Sequence, residues 1–102
     1  MMELTSENFK STIAKGNTVI DFWAPWCGPR RAMAPHFEEA AKNTKNVTFA
    51  KLNVDEHGQT AAEHKIMGIP ALIFFKDGKE VSRMVGLQSK QAIEAKVKEA
   101  FR

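Results

Sequence analysis

The stretch Trp23-Ala24-Pro25-Trp26-Cys27-Gly28-Pro29-Arg30-Arg31 holds the only cysteine of the chain. It follows a strand-like run and precedes a helix-like one, so the thiol falls at a strand-to-helix junction. Pro29 suits the first turn of that helix. Helix N-termini carry partial positive charge and free N–H donors, and both favour a thiolate over a thiol. Arg30 stands three residues on, about one turn, so its guanidinium can lie near the sulfur and act the same way. The chemistry available to such a group is nucleophilic attack by sulfur. The plainer alternative is a small buried hydrophobe, the common role of a lone cysteine. The neighbouring tryptophans and the Gly-Pro turn favour an exposed, reactive thiol.

One cysteine excludes an intramolecular disulfide and a cysteine-based zinc site. The three histidines offer no metal site either. His57 and His64 are seven residues apart, whereas a metal pair on a helix prefers a spacing of four, and His36 has no partner.

The elements that must position Cys27 are readable from pattern. Thr5 or Ser6 can cap a helix carrying Phe9 and Ile13, which Gly16-Asn17 ends. Residues 18–23 are β-rich and almost wholly apolar, as in a strand covered on both faces. Pro29 to about Asn43 reads as a helix with Met33, Phe37 and Ala41 on one stripe, interrupted by Pro35, which should kink it. Asn46 to Asn53 is the next strand, and Asp55 can cap a short helix over 57–65. Pro70 to Phe75 is a strand that begins with proline, a tolerated place for one. Asp77-Gly78 signals a type I′ hairpin turn, with Glu80 to Val85 returning antiparallel until Gly86 breaks the strand. Ser89 caps a last helix with Ile93, Val97 and Phe101 on one side. The order α-β-α-β-α-β-β-α predicts an α/β fold: a central mixed β-sheet flanked by helices on both faces.

The 102 residues fit a single domain spanning 1–102. The charge balance, 15 Lys+Arg against 12 Asp+Glu, is a small excess spread along the chain. Nucleic-acid binders concentrate such charge with interleaved aromatics, so no nucleic-acid partner is expected. No apolar run approaches the roughly 20 residues of a membrane span. The start, Met1-Met2-Glu3-Leu4, shows no signal-peptide pattern. With a lone thiol, this leads to the expectation of a cytoplasmic protein.

The chain resembles the thioredoxin family over essentially its full length, with the N-terminal strand trimmed. The family signature is Trp-Cys-Gly-Pro-Cys on a strand–turn–helix. Here it reads Trp26-Cys27-Gly28-Pro29, with Arg30 in the place of the second cysteine. Asp21, within Val19-Ile20-Asp21-Phe22-Trp23, matches the buried carboxylate that handles protons for the thiols. Lys51 matches the lysine near that carboxylate, and Pro35 the proline inside the long helix. Met67-Gly68-Ile69-Pro70 matches the loop whose cis-proline faces the active cysteine. Gly86 matches the glycine that leaves room for a substrate chain.

What the resemblance implies is a thioredoxin fold and thiol–disulfide exchange without a bound cofactor. Cys27 takes the attacking role, Asp21 the proton role, and Lys51 tunes Asp21. Arg30 stabilises the thiolate and blocks resolution. Trp26, Gly28, Pro29, Ile69, Pro70 and Gly86 shape the docking groove for disulfide-containing proteins. Each has a plainer reading. Asp21 could be a structural carboxylate bonded to backbone, Lys51 a solvated neighbour, and Pro70 an ordinary trans proline opening a strand. Trp23 is expected mostly in the core and Trp26 half exposed.

Without a second cysteine the resolving step is lost. Mixed disulfides should persist until an outside thiol such as glutathione frees Cys27. The family's NADPH-dependent flavoprotein reductase needs a disulfide that this chain cannot form internally, which puts that partnership in doubt. The chain is expected to be a monomer, with a Cys27-linked dimer as an oxidised form. The competing reading is a redox-inactive binding module that holds an extended peptide on the Trp26, Ile69-Pro70 and Gly86-Leu87 surface.

Overall fold

A computed structural model describes residues 1–102. One five-stranded sheet forms the centre, in the order β1-β3-β2-β4-β5. The strands are β1 (Met2–Leu4), β2 (Asn17–Trp23), β3 (Val47–Asn53), β4 (Ala71–Lys76) and β5 (Lys79–Val85). β1, β3 and β2 run parallel, β4 is antiparallel to β2, and β5 is antiparallel to β4. The helices are α1 (Phe9–Ile13), α2 (Gly28–Asn43), α3 (Gly58–Glu63) and α4 (Lys90–Ala100). The mixed sheet with helices on both faces is the expected architecture.

Alternation along the strands splits the core in two. Ile20, Phe22, Ala50, Leu52, Ala71, Ile73 and Phe75 face one side, where Phe9 and Ile13 of α1 and Ala61 of α3 cover them. Val19, Phe49, Leu72 and Phe74 face the other, under Met33, Phe37 and Ala40 of α2 and Ile93 and Val97 of α4. β2 and β4 are therefore buried on both faces along nearly their whole length, with Thr18 and Asp21 the buried polar exceptions in β2.

The turn chemistry follows the sequence. Asp77 and Gly78 both take positive φ, 50° and 87°, as a type I′ hairpin requires. Asp77 also pins the turn to the α1–β2 loop, accepting from the Gly16 N–H at 2.8 Å and donating its own N–H to the Gly16 carbonyl at 2.9 Å. The Ser89 hydroxyl accepts from the Ala92 N–H and caps α4.

Three details differ from expectation. The N-terminal strand is present, not trimmed away: Met2, Glu3 and Leu4 pair with Ala50, Lys51 and Leu52. Only three residues long and exposed at two of them, it has no alternation to read in the sequence. Ala40, not Ala41, is the fully buried alanine of α2. Asp55 does not cap α3, whose N-cap is His57 without a side-chain bond. The Asp55 carboxylate is engaged elsewhere, by Trp26.

Candidate functional site

β2 ends at Trp23 on an apolar, doubly covered strand, and Ala24-Pro25-Trp26 turns the chain into α2. Cys27 is the N-cap of that helix, in extended backbone geometry, with its N–H donated to the Ala24 carbonyl at 3.1 Å. Pro29 follows in the first turn, where a missing N–H costs nothing. Cys27 thus sits at the positive end of a 16-residue helix.

The expectation of an exposed thiol is corrected. Cys27 is only 5% exposed, and its Sγ donates to the Ile69 carbonyl oxygen at 3.5 Å. The exposure falls on Trp26, which is 70% exposed rather than half. Its indole Nε1 is tied to the Asp55 carboxylate at 3.0 Å, so an open aromatic face stands beside a shielded sulfur.

The loop against the sulfur is Met67-Gly68-Ile69-Pro70, and the Ile69–Pro70 bond is cis. It is joined to the end of β5 by the Gly86 N–H, which donates to the Pro70 carbonyl at 2.8 Å. Gly86 has φ of +94°, and a Cβ there would meet nothing within 4 Å. Glycine is required here by backbone angle, not by crowding. Around this junction Met67, Val85 and Leu87 are exposed apolar side chains, Met67 almost completely. Leu87 was expected on this surface. Met67 and Val85 were missed as surface residues, because an apolar side chain next to a glycine reads equally well as core.

A second group lies under the start of α2. Asp21 is 1% exposed on the α2 side of β2, and its Oδ1 has no hydrogen-bond partner. Burial pushes its pKa from the ordinary 3.8 up to about 7; Lys51 and then Arg30 oppose that rise, and Glu3 adds to it. The register explains the neighbours. Asp21 pairs across to Lys51 on β3, and Lys51 pairs across to Glu3 on β1. Carboxylate, ammonium and carboxylate thus form one row over three parallel strands.

Trp23 completes this group and is largely buried, as expected. Its Nε1 donates to Glu3 Oε2 at 3.0 Å. The Arg30 guanidinium lies 4.1 Å from the Trp23 ring centre, and Lys51 Nζ lies 5.8 Å from it. The Arg30 guanidinium is thus seated on Trp23, and no hydrogen bond joins it to the sulfur, whose partner is the Ile69 carbonyl. A planar guanidinium stacks well on an indole, and Trp23 offers a face within its reach. The structure thus gathers Cys27, Ile69, Pro70 and Gly86 in one chain of contacts, and Asp21, Lys51 and Arg30 around Trp23 in another. Gly28 and Pro29 form the first turn of α2. Glu3 escaped the sequence reading because its strand did; the two-residue spacing of Asp21 and Trp23 was the available signal for their shared face.

No group of three or more His, Cys, Asp or Glu side chains is placed to hold a metal ion. No helix is long and apolar enough to cross a membrane.

With this geometry in hand, comparison with known proteins is informative. The thioredoxin family model matches residues 1–99. The chain is 48% identical over 98 residues to a thioredoxin of Alicyclobacillus acidocaldarius, covering 94% of this chain and 93% of the relative. It is 47% identical over 88 residues to a thioredoxin of Chlamydia pneumoniae, covering 86% of each. The crystal structure of Malassezia sympodialis thioredoxin (Mala s 13) superposes with a TM-score of 0.89 at 32% identity, covering 99% of this chain and 93% of that one.

Proposed function

Because the chain belongs to the thioredoxin family, whose members carry out thiol–disulfide redox chemistry, we propose that it exchanges disulfides through Cys27 alone. The observation that carries this reading is the placement of its single thiol. Cys27 caps α2 and lies against the Ile69 carbonyl, while the position one turn on holds a guanidinium stacked on Trp23.

The reaction proceeds in one half. The Cys27 proton passes through water to the Asp21 carboxylate. The thiolate attacks one sulfur of a substrate disulfide. The Cys27–substrate S–S bond forms, the substrate's own S–S bond breaks, and the leaving thiolate takes up a proton. Substrate lies extended across Trp26, Ile69-Pro70 and Gly86, beside the exposed apolar side chains of Trp26, Met67, Val85 and Leu87. Arg30 offers no sulfur for the second attack, so the mixed disulfide persists. An outside thiolate, of the glutathione class, then attacks the substrate sulfur and frees Cys27, leaving substrate and thiol joined. A lone thiol that must stay reduced suits the cytoplasm.

The test is turnover of a protein disulfide with dithiothreitol and then glutathione, beside the variant Arg30→Cys. Fast turnover by the variant and a stalled mixed disulfide for the parent, seen by intact mass, support the proposal. Multiple turnover of the parent with glutathione alone makes it a self-sufficient monothiol catalyst. If both proteins are inactive and Cys27 stays unmodified, exchange is ruled out, and the groove is left as a peptide-binding surface.

A further inference from the structure

Three contacts converge on Trp23. Its indole follows Asp21 on the same face of β2. Its edge is held by Glu3 at 3.0 Å, which fixes the orientation of the ring. Its face carries the Arg30 guanidinium at 4.1 Å, with the Lys51 ammonium further out at 5.8 Å. A ring fixed in this way is a platform for cations.

Two buried polar atoms at this place have no partner: Oδ1 of Asp21 and Nε of Arg30. One is an acceptor and the other a donor, of opposite charge. The elements packed around Asp21 bring Glu3 from β1, Lys51 from β3 and Arg30 from α2, while its β4 neighbour Leu72 is uncharged. Lys51 is fixed by strand register. Arg30 reaches the group only because the indole gives its side chain a seat.

We propose that Trp23 and Arg30 form a charge-positioning pair for Asp21, in which the indole holds the guanidinium toward the buried carboxylate so that Arg30 tunes proton transfer at Cys27 through Asp21 and not by contact with sulfur. The inference rests on the exchange reading of Cys27. Arg30 is a positioning residue in this scheme, and Glu3 supports it by orienting the ring. A cation at this seat keeps a larger fraction of Asp21 as carboxylate near neutral pH, and only the carboxylate can accept the thiol proton.

The experiment is a carbon-13 NMR titration of the Asp21 carboxyl in the full chain. It is paired with the pH profile of mixed-disulfide formation between Cys27 and dithiodipyridine. Arg30→Gln should raise the Asp21 midpoint by about half a pH unit or more and move the acid limb of the rate profile with it. Arg30→Lys keeps the charge without the planar stack and should restore part of the shift. Trp23→Phe keeps a ring but frees it from Glu3, and should shift the midpoint the same way by less. An unchanged Asp21 midpoint in Arg30→Gln overturns the proposal. So does a midpoint that moves while the rate profile does not, since the coupling would then be structural only. Failure of every variant and the parent to form the mixed disulfide would instead bring down the exchange reading, with the titration shift still on record as a separate result.

Discussion

The thiol of Cys27 is directed at the carbonyl oxygen of Ile69, 3.5 Å away, across the gap between the α2 N-terminus and the loop before β4. The contact explains how a residue flanked by an exposed tryptophan is itself buried. It also separates two roles of the side chain, as a donor that closes the site and as a sulfur that reacts.

Cys27→Ser tests that separation. A hydroxyl can donate to the same carbonyl, so thermal stability should change by less than about 1 kcal/mol. Mixed-disulfide formation should vanish completely. Denaturant melts and intact mass after incubation with a disulfide measure the two quantities independently. A large loss of stability would show that the sulfur has a packing role beyond this one bond.

Asp21→Asn should stabilise the protein, and more so at alkaline pH. The carboxyl titrates near 7 in the fold against 3.8 ordinarily, so between those values the folded state binds the extra proton. Stability therefore falls as pH rises from about 4 to 7 and is lowest above that, by up to about 4 kcal/mol for a shift of this size. Removing the charge removes that slope. His64 acts with the opposite sign. It packs against Phe9, Phe22 and Phe75, and burial chiefly lowers its pKa below 6.5. The unfolded chain then binds more protons, and stability falls on acidification below about 6.5. The parent should thus lose stability from pH 4 to 7, whereas Asp21→Asn, in which the His64 slope stands alone, should gain it over the upper part of that range. Urea melts at half-unit pH steps decide it.

Gly86→Ala should cost about 1–2 kcal/mol through backbone strain at φ of +94°, since nothing would crowd the new methyl group. For a chain of this length that corresponds to a drop in Tm of at least about 4–8 °C. A much smaller drop would mean that the β5–α4 corner relaxes to another angle.

Arg83→Ala should destabilise by about 1 kcal/mol. The guanidinium donates to the carbonyls of His64 at 2.9 Å and Lys65 at 3.4 Å, where α3 ends, and pairs with Glu80 at 2.6 Å. The Glu80 carboxyl is held below its usual range, first by the hydrogen bond from Arg83. The pair's contribution is therefore present at neutral pH and fades as acid protonates Glu80. Both side chains are about one third exposed, so salt should weaken it. Melts at low and high ionic strength, with and without the substitution, read it directly.

The strands and helices with a strong period were legible in the sequence, and the reasons are physical. β2 and β4 announce themselves because two covered faces demand a mostly apolar run, broken in β2 by Thr18 and Asp21. The hairpin was legible because Asp77-Gly78 fits one turn type. β1 was not, because three residues give no period. Within the site, the location of Cys27 at a helix start followed from Gly28-Pro29, but its burial did not, since Ile69 approaches from 42 residues away. The seat of Arg30 on Trp23 was not legible for a related reason. Helical spacing fixes where a side chain starts, and a long arginine side chain ends on whichever partner stacks best, here Trp23. Asp55 was read as a helix cap when a tryptophan donor was competing for it.

Glu3 belongs to the shortest strand and lies at the edge of the sheet, yet its carboxylate steers the indole that seats Arg30. An affinity tag or fusion partner joined at Met1 would adjoin this three-residue strand, and so the carboxylate that holds the Trp23 indole. Activities measured on tagged and tag-free protein should be compared before either is taken as the protein's own.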